Sequence, residues 1–220
     1  MSRTGSSAKH LLRVLRPHLR LRSKSCRPVT TTTTKPPIVE LREYKLIPGH
    51  AGTYITHTTD YANVRHEHVP TRLFSLPETG GPLHVATHFY HYEGGYEERD
   101  AVRSQMPKDE LWMKYLGLVR PCVDEQISQI FNEATLVNDF GLHGMANGAS
   151  PGGGGDSDGS GDGSSASYEI RRYQLKLGYD TVPNFFKFYA DGLPSKLNAA
   201  GTDPSTSLVT LLYNYTGNLN

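Results

Sequence analysis

Apolar and polar residues alternate in two short stretches of the chain, and the two stretches have nearly the same sequence. Residues 39–49 read VELREYKLIPG and residues 168–178 read YEIRRYQLKLG, with Glu, Arg, Tyr, Leu and Gly at the same five places, 129 positions apart. Alternation with a period of two predicts a β-strand with one buried face, and the closing glycine predicts a turn. Two copies of one structural unit are the simplest explanation of this repetition.

The hydrophobic pattern after the first copy predicts the rest of one complete domain. The predicted elements are a helix over residues 53–68, a β-hairpin over 72–76 and 83–92, a helical stretch over 95–126 with a break near Pro107 and a kink at Pro121, and a strand over 129–137. The order β-α-β-β-α-β is that of a ferredoxin-like α+β domain, in which two helices cover one face of a four-stranded antiparallel sheet. We assign this first domain to residues 39–140.

The second copy is incomplete. Its pattern predicts a strand over residues 170–177, a helix that begins over 182–189 and a strand over 207–213, followed by a turn that matches residues 80–84 of the first copy. These elements alone would leave an unpaired strand edge and a half-covered core. We therefore expect residues 168–220 to form a partial second domain, either because the sequence is a fragment, which we favour, or because another chain supplies the remaining strands.

The segment between the two copies has the composition of a linker. After Met145, residues 146–167 contain no bulky apolar side chain, and glycine, serine and aspartate dominate. Such a segment cannot bury enough surface to offset its backbone entropy. We assign residues 141–167 to a flexible linker.

Composition excludes some classes of protein. The chain has 220 residues, 36% of them hydrophobic, and a mean hydropathy of −0.50. No apolar run approaches the roughly 18 to 20 residues that a membrane-spanning helix needs, which excludes a transmembrane segment of that kind. With only two cysteines, Cys26 and Cys122, a disulfide framework and a thiolate-rich metal site are also excluded.

The formal net charge of +1 conceals an uneven distribution along the chain. Residues 1–39 contain nine Lys and Arg and no acid, whereas the remaining 181 residues carry 14 basic and 22 acidic side chains. Leu11, Leu12, Leu15 and Leu19 fall on one side of a helical wheel and arginines group on another, although Pro17 interrupts the pattern. A cationic, acid-free amphipathic segment is typical of a mitochondrial import signal.

We therefore assign residues 1–38 to a mitochondrial targeting leader followed by a Thr/Pro-rich spacer. The alternatives are a basic nucleic-acid-binding arm and a chloroplast transit peptide. Nucleic acid is disfavoured as a partner of the mature protein because the rest of the chain is acidic.

The duplicated motif and its context resemble the NIPSNAP family. The residues that carry this resemblance are Glu40-Leu41-Arg42-x-Tyr44-x-Leu46-x-Pro48-Gly49 with its copy at 169–178, Gly81-Pro82-Leu83 leading to His88-Phe89-Tyr90-x-Tyr92-Glu93, and Arg120-Pro121-x-x-x-Glu125-Gln126. The resemblance implies a dimeric α+β barrel, in which two ferredoxin-like sheets pack face to face. It also implies a mitochondrial protein that binds other proteins, including mitophagy receptors and adaptors, without an established catalytic activity.

Alternation within the predicted strands places polar side chains together. Arg42 and Tyr44 share one face of the first strand with Glu40, and His88 and Tyr90 share one face of the strand over 83–92. We expect Arg42, Tyr44, His88 and Tyr90 to approach one another and to face the barrel interior or its mouth, as a candidate pocket. The alternative is a hydrogen-bonded, semi-polar core that holds the sheets in register.

The sequence contains few signals of catalysis or metal binding. Neither an HExxH nor a CxxC pattern occurs. The pattern Gly-x-Ser-x-Gly occurs at residues 155–159, but within the Gly/Ser/Asp-rich segment and not between a predicted strand and a predicted helix, so it does not predict a nucleophile elbow. We assign no catalytic residue, metal or cofactor. Trp112 and Arg120 are candidate protein-docking residues, although core packing is the more frequent role of a tryptophan in such a helix.

These observations favour a mitochondrial protein that acts by binding other proteins, with self-association through sheet-to-sheet packing and a role in mitochondrial quality control or mitophagy. We expect it in the matrix or at the inner membrane. The alternative is an α+β-barrel enzyme or small-ligand carrier with a pocket around Arg42, Tyr44 and His88.

Overall fold

The computed structural model describes residues 35–76, 82–147, 168–203 and 206–214. Residues 1–34 of the predicted leader, residues 148–167 of the predicted linker, and the predicted turn after residue 215 lie outside the described residues.

Five strands form one antiparallel sheet with the spatial order β2-β3-β1-β4-β5. The strands are β1 (Ile38–Leu46), β2 (Thr71–Ser75), β3 (Val85–Tyr92), β4 (Val123–Glu133) and β5 (Leu212–Tyr213). β1 pairs with β3 on one side and with β4 on the other, which explains why all four residues from Ile38 to Leu41 are buried.

Each helical stretch of the first domain is divided into two helices. α1 (Ala51–Asp60) and α2 (Ala62–His68) connect β1 to β2, and α3 (Gly95–Gln105) and α4 (Glu110–Val119) connect β3 to β4. Asp109 begins α4, because its carboxylate accepts a hydrogen bond of 2.7 Å from the backbone N–H of Trp112. The two remaining helices are α5 (Leu136–Asp139) and α6 (Thr181–Leu197).

This connectivity confirms the predicted fold class. Four strands in the order β2-β3-β1-β4, with helices between β1 and β2 and between β3 and β4, form a ferredoxin-like α+β domain of the dimeric α+β barrel type. The predicted hairpin is formed by β2 and β3, which pair antiparallel. The predicted helix over 53–68 corresponds to α1 and α2.

The two faces of the sheet have different environments. The helices cover one face, where Tyr54 of α1 and Trp112 and Tyr115 of α4 pack against Ile38 and Tyr92 of the sheet. The other face is apolar and is formed by Val39, Leu41 and Phe89 with partly buried Leu73 and Phe131. We call these the helix face and the open face.

The predicted boundaries around β4 are wrong. The helical stretch does not continue to residue 126, because α4 ends at Val119 and a short 3-10 turn containing Pro121 follows it. β4 begins at Val123, opposite Leu46 of β1, and ends at Glu133 instead of residue 137. Proline removes a backbone donor and stops the helix, and pairing with β1 then extends the chain earlier than the apolar pattern indicated.

The first predicted strand of the second copy is also wrong. Residues 170–177 belong to no strand, and Ile170 and Leu177 are exposed. A strand needs a neighbouring backbone to pair with, and among the described strands none pairs with this segment. The helix predicted to begin over 182–189 is confirmed by α6, whereas the strand predicted over 207–213 is reduced to β5.

Residues 141–147, which composition assigned to the linker, pack against the sheet. Met145 is buried on the open face with Val39, Leu41 and Phe89, and its backbone N–H donates a 2.7 Å hydrogen bond to the Glu133 carboxylate. The buried Met145 side chain, this hydrogen bond and a second one from the Gly144 N–H to the Val209 carbonyl together attach this end of the segment to the domain.

No helix in the described part of the chain is both long enough and apolar enough to cross a membrane.

Candidate functional site

The four residues singled out by strand alternation lie together. Arg42 and His88 are cross-strand partners in the pairing of β1 with β3. The rings of Tyr44 and His88 have centroids 4.9 Å apart, and the Arg42 guanidinium lies 5.7 Å from the centroid of the Tyr90 ring. An Arg42 N–H also donates to the Tyr44 hydroxyl over 3.3 Å.

These side chains lie on the helix face, so the expectation that they face the barrel interior is wrong. They pack beneath α1, α2 and α4, and the opposite face of the sheet carries Val39, Leu41 and Phe89 instead, buried together with Met145. The physical reason is that the helices supply polar partners for these buried groups, whereas the apolar open face offers none.

Arg65 of α2 lies at the centre of this group. Its guanidinium donates to the hydroxyls of Tyr90 and Tyr115 and, over 2.7 Å, to Nδ1 of His88. Thr58 of α1 is hydrogen-bonded to the same Tyr115 hydroxyl at 3.3 Å. One residue of α2 therefore connects the middle of the sheet to α4.

His88 is held as a neutral imidazole. It is completely buried, and burial together with the neighbouring Arg65 and Arg42 charges lowers its pKa well below the ordinary value. A guanidinium can only donate, so Nδ1 accepts from Arg65 and the ring proton resides on Nε2, 3.0 Å from the Tyr54 hydroxyl. Nε2–H therefore donates to Tyr54.

Burial also keeps the tyrosines of the group protonated. Burial is the main reason why the pKa values of Tyr54 and Tyr90 lie above the ordinary value for tyrosine. These residues therefore act as neutral hydrogen-bonding groups at physiological pH.

A buried carboxylate, Glu40, forms the other end of the polar region. Its side chain is fully buried and accepts from Arg103 over 2.6 Å and 2.7 Å. The other donors to it are Arg42, Tyr92, Arg99 and Ser128. Burial acts to raise the pKa of Glu40, but the hydrogen bond and charge contributions of Arg99, Arg42 and Ser128 outweigh it and hold the pKa below the ordinary value.

We call this region the polar cluster, and it extends well beyond the four residues that the sequence indicated. Its members are Glu40, Arg42, Tyr44, Tyr54, Thr58, Arg65, His88, Tyr90, Tyr92, Arg99, Arg103, Tyr115 and Ser128. No group of three or more His, Cys, Asp or Glu side chains among the described residues is placed to hold a metal ion. The cluster is thus rich in hydrogen-bond donors and in positive charge.

Sequence reasoning missed the helical members of the polar cluster, although a signal for them exists. Tyr54, Thr58, Tyr61 and Arg65 follow one another at spacings of four, three and four residues, which is one face of a helix. Arg99 and Arg103 are likewise four residues apart on α3. The sequence has polar residues at helical spacing and a polar face on the predicted strands. Together these two features would have predicted the contact between the helices and the polar face of the sheet.

The two candidate docking residues have different surroundings. Trp112 is 6% exposed and packs against the rings of His68 and Tyr115, with centroids 5.6 Å away in each case, so it is a core residue and not a surface contact. Arg120 is exposed in the 3-10 turn after α4.

A second region of interest lies on α6 and the segment before it. A cavity of about 260 Å³ is lined by Tyr173, Phe188, Tyr189, Gly192, Leu193 and Lys196. Phe188 is 70% exposed and Tyr173 50% exposed, while the Lys196 ammonium lies 5.7 Å from the centroid of the Tyr189 ring. We call these six residues the aromatic surface.

The topology defines the first domain as one unit of an α+β barrel, and comparison with known proteins identifies its family. The NIPSNAP family profile matches residues 39–135, which span β1 to β4. The chain therefore contains a NIPSNAP domain over residues 39–135.

Solved structures that are similar to part of this chain include two described as NIPSNAP proteins. A NIPSNAP domain protein from Burkholderia xenovorans is 20% identical, with a TM-score of 0.41 over 44% of this chain and 94% of the other. A NIPSNAP family protein from Agrobacterium tumefaciens is 20% identical, with a TM-score of 0.43 over 45% of this chain and 89% of the other. No curated protein matches the sequence at a significant level.

Proposed function

We propose that this protein, which contains a NIPSNAP domain, acts in mitochondria by binding other proteins and has no catalytic activity of its own. The family resemblance suggests mitochondrial quality control, including mitophagy, as the process, and the acid-free leader suggests import to the matrix or the inner membrane. The observation that carries the proposal is the aromatic surface.

The aromatic surface has the features of a protein-binding site. Large side chains are exposed around a concave centre, and Lys196 supplies a charge at its edge. Apolar patches bordered by polar groups mark interaction sites, and tyrosine is enriched among the residues that dominate binding energy. The partner is a protein segment that inserts an apolar side chain between Tyr173 and Phe188 and places a carboxylate near Lys196.

The polar cluster supports a binding role rather than catalysis. Arg42, Tyr44, His88 and Tyr90 are in contact with one another or with Arg65, and the cavity of about 260 Å³ is lined by none of them. Small-molecule sites in proteins are pockets of roughly 300–1,000 Å³, lined mostly by apolar side chains with a few polar groups that orient the ligand. Self-association by sheet-to-sheet packing is part of the same proposal and rests on the family resemblance. In the single chain Val39, Leu41 and Phe89 are already buried with Met145.

Proximity labelling in cells with the full-length chain tests the aromatic surface. Phe188→Asp places a charge on it and is expected to remove the labelled neighbours that depend on this surface. Tyr179→Asp is the matched control, because Tyr179 is fully exposed and does not line the cavity. Equal labelling by wild type and both variants would mean that this surface binds no partner.

Removal of residues 1–35 tests the location separately. The truncated chain is expected to leave the mitochondrion and to lose its mitochondrial neighbours. An unchanged location would show the assignment of the leader to be wrong, without bearing on the aromatic surface.

A further inference from the structure

Glu43 of β1 and Arg172 form an ion pair between two parts of the chain that are distant in sequence. The Arg172 guanidinium donates to both carboxylate oxygens of Glu43, over 2.6 Å and 3.1 Å. The Glu43 side chain is 18% exposed and that of Arg172 is 55% exposed, so the pair is partly shielded from solvent. Two parallel hydrogen bonds between a guanidinium and a carboxylate fix the relative orientation of the two groups.

The two residues occupy the same position in the two similar segments of the sequence. Residues 39–49 and 168–178 align at an offset of 129 positions, and Glu43 and Arg172 are themselves 129 residues apart. At a two-fold axis, a residue of one unit meets the same residue of the other unit. The Glu43–Arg172 contact is therefore the contact expected if the two segments meet around an approximate two-fold axis within one chain.

The two segments have opposite charges at this position and at no other of the eleven that align. If residues 39–49 of two copies of the chain met in the same way, two Glu43 carboxylates would face each other. Two copies of residues 168–178 would bring two Arg172 guanidinium groups together. Like charges in contact disfavour a pairing, whereas opposite charges favour it. The charges therefore favour the pairing of the two unlike segments.

Few other contacts hold the second segment in place. Ile170 is 44% exposed and Leu177 is 97% exposed, and no described strand pairs with the segment. The Tyr173 ring packs on Phe185 of α6, with centroids 5.5 Å apart, but this contact does not involve the first domain. The ion pair is therefore the contact that joins the segment to β1.

We propose that Glu43 and Arg172 form the recognition contact by which residues 168–178 dock on the first domain of the same chain. The opposite charges at this one position select the second segment, and the paired hydrogen bonds set its orientation. The partner of the Glu43 carboxylate is thus a segment of this chain and not a second copy of residues 39–49. This inference does not depend on a partner at the aromatic surface, and it restricts the proposed self-association to arrangements that leave the contact in place.

Carbodiimide cross-linking of the full-length chain tests the contact directly. Arg172→Lys keeps the positive charge and supplies an amine, and the reagent joins an amine to a carboxylate when the two groups are in contact. We expect mass spectrometry to find an amide between positions 43 and 172 in a product of monomer mass. Arg171→Lys is the matched control, because Arg171 pairs with Glu169, and its amine is expected to join position 169 instead.

Three results of the cross-linking experiment would overturn the proposal. The first is the absence of a link between positions 43 and 172 in Arg172→Lys. The second is an equal yield of links to Glu43 from Arg172→Lys and Arg171→Lys, because the segment would then have no defined orientation. The third is a link that occurs only in a product of dimer mass, because the segment would then dock on another copy of the chain.

Charge reversal tests whether the sign of the charges selects the segment. In Arg172→Glu and in Glu43→Arg, like charges face each other, and chymotrypsin is expected to cleave after Tyr173 about fivefold faster than in wild type. Each rate is divided by that of a synthetic peptide of residues 168–178 with the same residue at position 172. The variant with both changes restores opposite charges and is expected to be cleaved within about twofold of the wild-type rate. Equal rates in all four chains, or a double variant cleaved as fast as the single variants, would contradict selection by charge.

Discussion

The two copies of the duplicated motif form the same local pair in two different environments. In the first copy Arg42 donates to Glu40 over 3.1 Å, and in the second Arg171 donates to Glu169 over 2.6 Å and 2.8 Å. The Glu40 side chain is fully buried, whereas that of Glu169 is 68% exposed.

This difference shows that local sequence creates the pair and that its surroundings decide its energetic role. Glu40 also receives hydrogen bonds from α3 and β4, and a buried charge that loses one partner leaves the others uncompensated. Glu169 and Arg171 face solvent, where water and salt screen the attraction and the pair contributes little to stability. The pKa of both carboxyls is lowered, in Glu169 chiefly by its hydrogen bond to Arg171, so a lowered pKa alone does not distinguish the two roles.

The largest expected effect comes from neutralising the buried carboxylate. Glu40→Gln leaves Arg42, Arg99 and Arg103 without their shared counter-charge and is expected to lower the free energy of unfolding by about 3–5 kcal/mol. Urea denaturation of the full-length chain measures it. Glu169→Gln is the matched control, and its midpoint is expected to equal that of wild type. Similar losses in both variants would refute the contrast between the copies.

A smaller change in the free energy of unfolding is expected from alanine substitutions at the next position of each copy, Leu41 and Ile170. Leu41 is 4% exposed on the open face, and Leu41→Ala is expected to lower the free energy of unfolding by about 3 kcal/mol. Ile170 is 44% exposed, and Ile170→Ala is expected to change it by no more than about 0.5 kcal/mol. The same denaturation experiment compares them, and a large loss for Ile170→Ala would mean that residues 168–177 are packed in solution.

The smallest expected effect is the pH dependence of the stabilisation that the Glu40 charge gives to the folded state. The folded-state pKa of Glu40 lies below its ordinary value of 4.5, so its contribution is complete above about pH 4.5 and is lost as the pH falls through the folded-state pKa. The difference in thermal unfolding midpoint between wild type and Glu40→Gln is therefore expected to narrow between pH 5 and pH 3. A difference that is constant over this range would mean that Glu40 does not act through its charge.

Much of the first domain could be predicted from the chain itself. Alternation in β1 and β3 placed Arg42, Tyr44, His88 and Tyr90 on one face, because side-chain direction in a strand depends only on position. The start of β4 could not be predicted in this way, since residues 123–128 form a strand only because β1 offers them a partner. The same holds for residues 170–177, which have the pattern of a strand but lack a pairing partner in the described part of the chain.

The contacts of Arg65 could not be predicted from the alternation of residues within strands. Its partners, His88, Tyr90 and Tyr115, are 23, 25 and 50 residues away along the chain and belong to two other elements. Helical spacing is consistent with one face shared by Tyr54, Thr58 and Arg65, but the spacing does not indicate which residues of the sheet that face contacts. Only the packing of α2 against the sheet brings the guanidinium to His88.

The sequence by itself determined the likeness between residues 39–49 and 168–178, the strand and hairpin patterns of the first domain, the ferredoxin-like order of elements and the resemblance to the NIPSNAP family. These features depend on local composition and on residue spacing, which the chain carries in any environment. The tertiary structure alone decided that the polar face of β1 lies against the helices, that Glu40 is buried while Glu169 is exposed, and that Arg65 lies among neutral partners. Burial and charge compensation depend on contacts between distant segments, and those contacts exist only after the chain has folded.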